Sequence, residues 1–285
     1  MNKKIIEKKK GIFDKRNRLN DLTGREWLLS TKSFFVSTKC ADDKAAFAHP
    51  APFLIKDIER MISMFTKKEM YVLDPFMGSG TTAIASFNLK RKSIGIDLSH
   101  EYHDLAVTRF NTKKMVEDID YSYIVGDSLI QIDNIPMVDY IVTSPPYFNI
   151  LRNKSQGLRA DKSKKGYRNG SRQGVEYYSN NSNDLGNLET YGEFLKIFQK
   201  IMIKSYNKLK NGKYCSIIIS DFTVDKKEIS VQSDIVNIME QIGFIFVGTI
   251  ALLQDNKPLY PFGYPFKFKI NHMHQNIINF LKEEK

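Results

Sequence analysis

The residues best placed to do chemistry lie in Val138-Asp139-Tyr140-Ile141-Val142-Thr143-Ser144-Pro145-Pro146-Tyr147. An apolar run, Tyr140 to Val142, reads as a buried strand, and it ends in Thr-Ser, two prolines and an aromatic. Each proline fixes φ near −65° and has no N–H, so strand pairing stops and the backbone stiffens. The residue before each proline is pushed toward extended geometry, which turns the carbonyls of Ser144 and Pro145 outward. The product is a rigid lip of acceptor oxygens and one aromatic face at the C-terminal end of a strand, where open α/β sheets bind ligands. A planar, amino-bearing ring fits such a lip, its NH2 donating to Ser144 and a proline carbonyl while Tyr147 stacks on it. The plain alternative is a proline-rich turn after a core strand.

A second set of residues lies upstream. Asp74-Pro75-Phe76-Met77-Gly78-Ser79-Gly80-Thr81-Thr82 follows the short strand Tyr71 to Leu73 and opens a helix expected through Leu89. Glycines at 78 and 80 admit positive φ and close approach of a ligand to the backbone, with helical N–H groups behind them. The third glycine of a dinucleotide fingerprint and the GK[ST] of a phosphate loop are absent, and Asp74 would repel a pyrophosphate. This turn suits a ligand with a positive or zwitterionic part. Ser93-Ile94-Gly95-Ile96-Asp97 repeats the strand-then-acid pattern, Asp97 being placed for two ribose hydroxyls. Strand Tyr121 to Val125 ends in Gly126-Asp127-Ser128, with Asp127 placed for an adenine amino group. Any one acid reads as a turn or cap residue; three in consecutive βα units point to a nucleoside-bearing ligand.

Around these motifs the periodicity places the supporting elements. Apolar residues at 54, 55, 58, 61, 62 and 65 predict an amphipathic helix introduced by His49-Pro50-Ala51-Pro52-Phe53. Ser99 is expected to cap a helix through Glu101, Leu105 and Phe110, and Thr190 with Glu193 to open another by a capping box. That second helix is expected to stop at Asn211-Gly212, followed by a strand at Lys213 to Asp221, a helix from Ser230 to Ile242 stopped by Gly243, and strands Phe244 to Leu253 and Gln275 to Leu281. Asp21 to Leu28, with the one tryptophan, reads as a short turn and helix without assigned chemistry.

The formal charge of the 285 residues is +11, from 43 Lys+Arg against 32 Asp+Glu. The excess is clustered: eight Lys/Arg lie in residues 1–18 and eight in residues 151–175, the latter against Asp161 alone. Such clusters favour a polyanionic partner, the plain reading being a solvated basic loop. Arg152, Lys154, Arg159, Lys164, Lys165, Arg168 and Arg172 are the candidate nucleic-acid contacts, with tyrosines among them. No apolar run spans a bilayer, no signal core follows the lysine-rich N-terminus, and Cys40 and Cys215 have no CxxC partner. The expectation is a cytoplasmic protein without a metal site.

DPFMGSGTT, GID, GDS and TSPPY together resemble the motif series of the S-adenosylmethionine-dependent amino-group DNA methyltransferases, over residues from about Asp21 to the C-terminus. The resemblance implies an α/β, Rossmann-like seven-stranded mixed sheet with its last strand antiparallel and a basic insertion after the fourth strand. It divides the chain into an N-terminal arm (1–48), a cofactor-binding half with the catalytic motif (49–147), a basic insertion expected to recognise the target (148–187) and the second half of the catalytic domain (188–285). It implies S-adenosylmethionine held by His49, Pro50, Phe53, Asp74, Phe76, Gly78, Ser79, Gly80, Thr81, Thr82, Asp97, Leu98, Asp127 and Ser128, with Ser144, Pro145, Pro146 and Tyr147 catalytic. Serine rather than aspartate before the prolines resembles the enzymes that methylate cytosine N4; adenine N6, an RNA substrate or a non-catalytic DNA-binding subunit are the alternatives. Double-stranded DNA and a cognate restriction endonuclease are the implied partners.

Overall fold

The computed structural model describes residues 11–148, 178–179, 181–224, 227–255 and 257–283. In chain order the elements are α1 (Gly24–Ser30), β1 (Phe34–Val36), α2 (Ile55–Phe65), β2 (Tyr71–Asp74), α3 (Thr81–Asn88), β3 (Lys92–Asp97), α4 (His100–Thr112), β4 (Tyr121–Val125), α5 (Ser128–Gln131) and β5 (Val138–Thr143). They continue with α6 (Tyr191–Lys208), β6 (Leu209–Ile219), the hairpin β7 (Phe222–Val224) and β8 (Lys227–Ile229), α7 (Val231–Ile242), β9 (Ile245–Leu253) and β10 (His274–Lys282).

Eight strands form one sheet in the order β1-β9-β10-β6-β5-β2-β3-β4. All neighbours are parallel except β10, which runs antiparallel to both β6 and β9. The expected antiparallel last strand is therefore present, and the sheet has eight strands rather than seven. The addition is β1, whose residues 34–36 pair in parallel with Ala251 to Leu253 at the sheet edge. A three-residue strand with alternating burial gives too short a pattern to be read from sequence.

The chain runs outward through β2, β3 and β4 and then crosses back to lay β5 on the other side of β2. This reversal is the topological switch point, and the crevice beyond its strand ends is the expected ligand site. The glycine turn after β2 and the Ser-Pro-Pro-Tyr lip after β5 both open there. Two cores hold the sheet. Ile58, Met61, Ile62, Ile84, Ala106 and Phe110 pack from α2, α3 and α4 on one face; Phe194, Phe198, Ile201, Ile235 and Met239 pack from α6 and α7 on the other.

Local signals in the sequence account for most element ends. Thr23 with Glu26 and Thr190 with Glu193 form capping boxes, Ser99 accepts from the Tyr102 N–H, and α7 stops at Gly243 in left-handed geometry. The expected stop at Asn211-Gly212 is displaced. Helix α6 ends at Lys208, and Leu209 already pairs with Val138, so Gly212 lies in a bulge of β6 between the Val138–Leu209 and Tyr140–Tyr214 pairs.

Candidate active site

The turn after β2 is shaped by its backbone. Gly80 has φ +77°, and a Cβ there would lie 2.5 Å from Cζ of Phe110. Gly80→Ala should therefore cost about 2–4 kcal/mol, from left-handed strain and a ring that must shift. Urea denaturation checks it beside Gly24→Ala, where an added methyl meets nothing and stability should be unchanged.

The polar side chains of this motif turn inward, which the sequence does not reveal. Asp74 is fully buried; its Oδ1 accepts from the Phe76 N–H at 3.1 Å and the Thr143 hydroxyl at 2.6 Å, and its Oδ2 from the Thr82 hydroxyl at 2.6 Å. Burial raises its pKa to about 6 against these three donors. Asp74 and Thr82, expected at the cofactor, are turned into the protein, where they bolt β2 to α3 and to the last residue before the lip. Ser128 likewise donates to the Pro75 carbonyl at 2.6 Å, tying the end of β4 to the turn. Ser79 and Thr81 are held from beneath by the buried Arg109, whose Nη1 donates to the Ser79 carbonyl and to the hydroxyls of Ser79 and Thr81, the last two at 3.2 and 3.1 Å. Arg109 was not expected at this site. Its signal lies in the spacing of the buried α4 residues Tyr102, Ala106, Arg109 and Phe110, which puts a cation on the inward stripe.

Asp97 ends β3 facing the turn. Its Oδ2 accepts from the Gly78 N–H at 2.8 Å and its Oδ1 from the Ser99 N–H at 3.0 Å, and burial pushes its pKa up to about 6. Each oxygen keeps a further lone pair. Leu98 beside it is half-buried. His49 closes the opposite side of the turn: its Nε2 is the nearest atom, at 3.1 Å, to a Cβ built on Gly78, and its ring meets Tyr102 edge-on at 4.3 Å. Burial lowers its pKa to about 4, so the imidazole is neutral at physiological pH. Pro50 is buried, Phe53 and Phe76 are half-buried, and the Phe53 carbonyl accepts from Thr81 at 3.5 Å.

Asp127 caps α5 through Oδ1, which accepts from the Leu129 N–H at 2.9 Å. Its Oδ2 accepts from the side-chain amide of Asn183 at 3.2 Å. Residues 178–179 and 181–187 accordingly form a wall of the crevice that the sequence assigned wholly to the basic insertion. Tyr178 accepts at its carbonyl from the Tyr102 hydroxyl and at its own hydroxyl from the Tyr147 N–H. It therefore joins the side of the crevice bearing His49 and Asp97 to the lip.

At the lip, Pro145 is buried while Ser144, Pro146 and Tyr147 are half-buried. The Tyr147 ring stacks on Phe222, centroids 5.9 Å apart at 26°, and its hydroxyl accepts from the Ser220 N–H at 3.0 Å and the Gln275 amide at 2.8 Å. The Ser144 hydroxyl also reaches that phenol. One face and the tip of Tyr147 are thus fixed by Ser220 just after β6, by β7 and by β10, making it a preorganised wall rather than a free stacking ring. Arg152, Lys154, Arg159, Lys164, Lys165, Arg168 and Arg172 lie outside the described residues. Among the described residues no His/Cys/Asp/Glu group could hold a metal ion, and no helix is long and apolar enough to cross a membrane.

Comparison with known proteins adds to this geometry. The DNA methylase family model, for N6 and N4 methyltransferases, matches residues 2–108, a range that holds the glycine turn and Asp97 and stops before the lip. The type II methyltransferase M2.LlaDCHI of Lactococcus lactis subsp. cremoris is 45% identical over 69 residues, 24% of this chain and 26% of that protein. M.MthZI of Methanothermobacter thermautotrophicus is 37% identical over 100 residues, 35% of this chain and 25% of that protein. The matched segments thus span about a quarter of these relatives' length. Among solved structures, an S-adenosylmethionine-dependent O-methyltransferase of Thermotoga maritima superposes with a TM-score of 0.51 at 13% identity, covering 86% of this chain and 71% of that one. TrmN of Thermus thermophilus gives 0.50 at 14%, covering 85% and 52%. At these identities the structures establish the shared Rossmann-like fold.

Proposed function

We propose that this protein is an amino-group DNA methyltransferase and that it methylates the exocyclic N4 of a cytosine flipped out of DNA, using S-adenosylmethionine, within a restriction–modification pair. The observation that carries the reading is the bolt between its two halves: Thr143, the residue before Ser144, donates to Asp74 at the head of the glycine turn across 2.6 Å. A methyl-donor turn and an amine-accepting lip are thereby locked side by side at the switch point of the sheet.

The residues present fit the cofactor. Asp97 keeps lone pairs for two ribose hydroxyls, and Asp127 accepts from the NH2 group of Asn183, which an adenine amino group would replace. His49 and the Gly78–Gly80 turn would flank the amino acid end. S-adenosylmethionine supplies a methyl already activated by its sulfonium, so no cysteine nucleophile is needed. The protein's task is then to orient the attacking nitrogen. The Ser144 oxygen and the Pro145 carbonyl accept from the target NH2, which draws its lone pair out of the ring and favours a nucleophilic geometry. Tyr147, backed by Phe222, gives the extruded base a fixed wall.

Serine at position 144 supports cytosine as the target. Phage DNA modified by the protein, digested to nucleosides and analysed by mass spectrometry, should contain N4-methylcytosine. N6-methyladenine without methylcytosine would overturn the choice of base and leave the reaction class standing; methyl transfer to RNA alone would overturn both.

A further inference from the structure

Between β9 and β10 the chain makes an excursion that the proposed reaction leaves without a task. After Gly263 aromatic residues alternate with prolines and lysines: Tyr264-Pro265-Phe266-Lys267-Phe268-Lys269-Ile270. Tyr264, Phe266 and Phe268 are 75%, 89% and 91% exposed. Aromatic rings are normally among the largest contributors of buried area, and exposed apolar clusters mark interaction sites.

The loop that holds these rings in water is built. The Tyr260 N–H donates to Oδ1 of Asn271 and the Asn271 amide donates back to the Tyr260 carbonyl, both at 2.9 Å. The N–H groups of Phe266 and Lys267 both donate to the Gly263 carbonyl, at 2.8 and 2.7 Å. Gly263 has φ +77°, and a Cβ there would lie 2.2 Å from the Lys267 carbonyl oxygen, so the turn closes only on glycine.

Its place in the fold is as telling. β10 runs antiparallel to β6, so its first residues sit at the edge where β5 and β6 end. Gln275 donates to the Tyr147 phenol and the His274 carbonyl accepts from Ser220, so the loop rises directly beside the lip. His272 anchors its base to Glu228 of β8 at 2.6 Å. No acidic residue occurs between Asp255 and Glu283. Rings interleaved with lysines, in a stretch that carries no acid, suit a polyanion that offers planar stacking faces, and suit an apolar protein surface poorly.

We propose that the β9–β10 loop is a DNA-contacting surface: Tyr264, Phe266 and Phe268 pack on or between bases next to the extruded target, and Lys267 and Lys269 pair with flanking phosphates. This rests on the DNA-methylating reading above, and it assigns DNA contact to residues outside the basic insertion.

The test uses the full chain, a Phe266→Ala/Phe268→Ala variant and a Lys267→Ala/Lys269→Ala variant. Anisotropy of a labelled mixed-sequence duplex is read over a salt series, with S-adenosylhomocysteine calorimetry as the control for folding. The aromatic pair should weaken duplex binding roughly tenfold or more. The lysine pair should reduce the slope of log K against log salt by roughly two. Both should keep cofactor-product affinity. A parent protein that binds duplex and transfers methyl groups, with variants equal to it in affinity and salt slope, overturns this assignment alone. A parent that binds no duplex overturns it together with the proposed function. If the aromatic variant loses self-association in sedimentation while keeping duplex affinity, the loop is a contact between copies and the proposal fails.

Discussion

Asp97→Ala should raise the dissociation constant of S-adenosylhomocysteine at least about a hundredfold. Hydrogen bonds to a charged acceptor are worth about 1.5–3 kcal/mol each, and in the proposed reaction this carboxylate accepts two from a ribose. It also accepts the Gly78 N–H, so its loss slackens the glycine turn. The pH dependence carries a second signature. Burial raises the Asp97 pKa to about 6 in the free protein, whereas hydroxyl donors favour the ionised form. The ligand therefore binds the carboxylate; as pH falls below about 6 a proton must first be released, and affinity should drop by up to about tenfold per pH unit. Calorimetry in buffers of different ionisation heat should detect that proton release near pH 6 in the parent and not in the variant. Affinity within about threefold of the parent, or a flat profile in the parent, would show that Asp97 does not hold the ribose.

Ser144→Ala is the second large effect. It should lower single-turnover methyl transfer by roughly a hundred- to a thousandfold, the range seen when one preorganised polar contact to a reacting group is removed. S-adenosylhomocysteine affinity should be unchanged and the thermal midpoint should fall only slightly, because half-buried Ser144 gives up one hydroxyl contact, to the Tyr147 phenol. Tyr147→Ala is a poorer probe of the same lip. Removing that ring leaves the Ser220 N–H and the Gln275 amide without their acceptor and takes away the partner of Phe222, so lost turnover would be mixed with lost stability. A Ser144→Ala enzyme with parental turnover would mean that the target amine is held elsewhere.

These two residues differ in how visible their surroundings were. Periodicity and capping are local, and they predicted α2, α3, α4 and α7 and the strands β2 to β5 and β10 with ends within a residue or two; the antiparallel direction of β10 came from the family resemblance. The glycine turn and the proline lip were equally legible, because positive φ and a missing N–H follow from residue type alone. The same reasoning could not reach β1, whose three residues are too short for a pattern, or the bulge at Gly212, where pairing with Val138 overrides the glycine stop.

By itself the sequence determined which strands end in acids, that a glycine turn follows the first of them, and that a proline lip follows the fourth strand of the Rossmann-like half. Tertiary structure alone decided what each carboxylate faces. Asp74, Asp97 and Asp127 look alike in sequence, each at a strand end before a turn. Yet Asp74 is fully buried against Thr82, Phe76 and a threonine 69 residues away, while Asp97 accepts from the backbone N–H groups of Gly78 and Ser99, and Asp127 from the Leu129 N–H and the Asn183 amide. The reason is physical: residue type sets how many hydrogen bonds a carboxylate can accept, but only packing between distant segments determines which donors arrive and which lone pairs remain for a ligand.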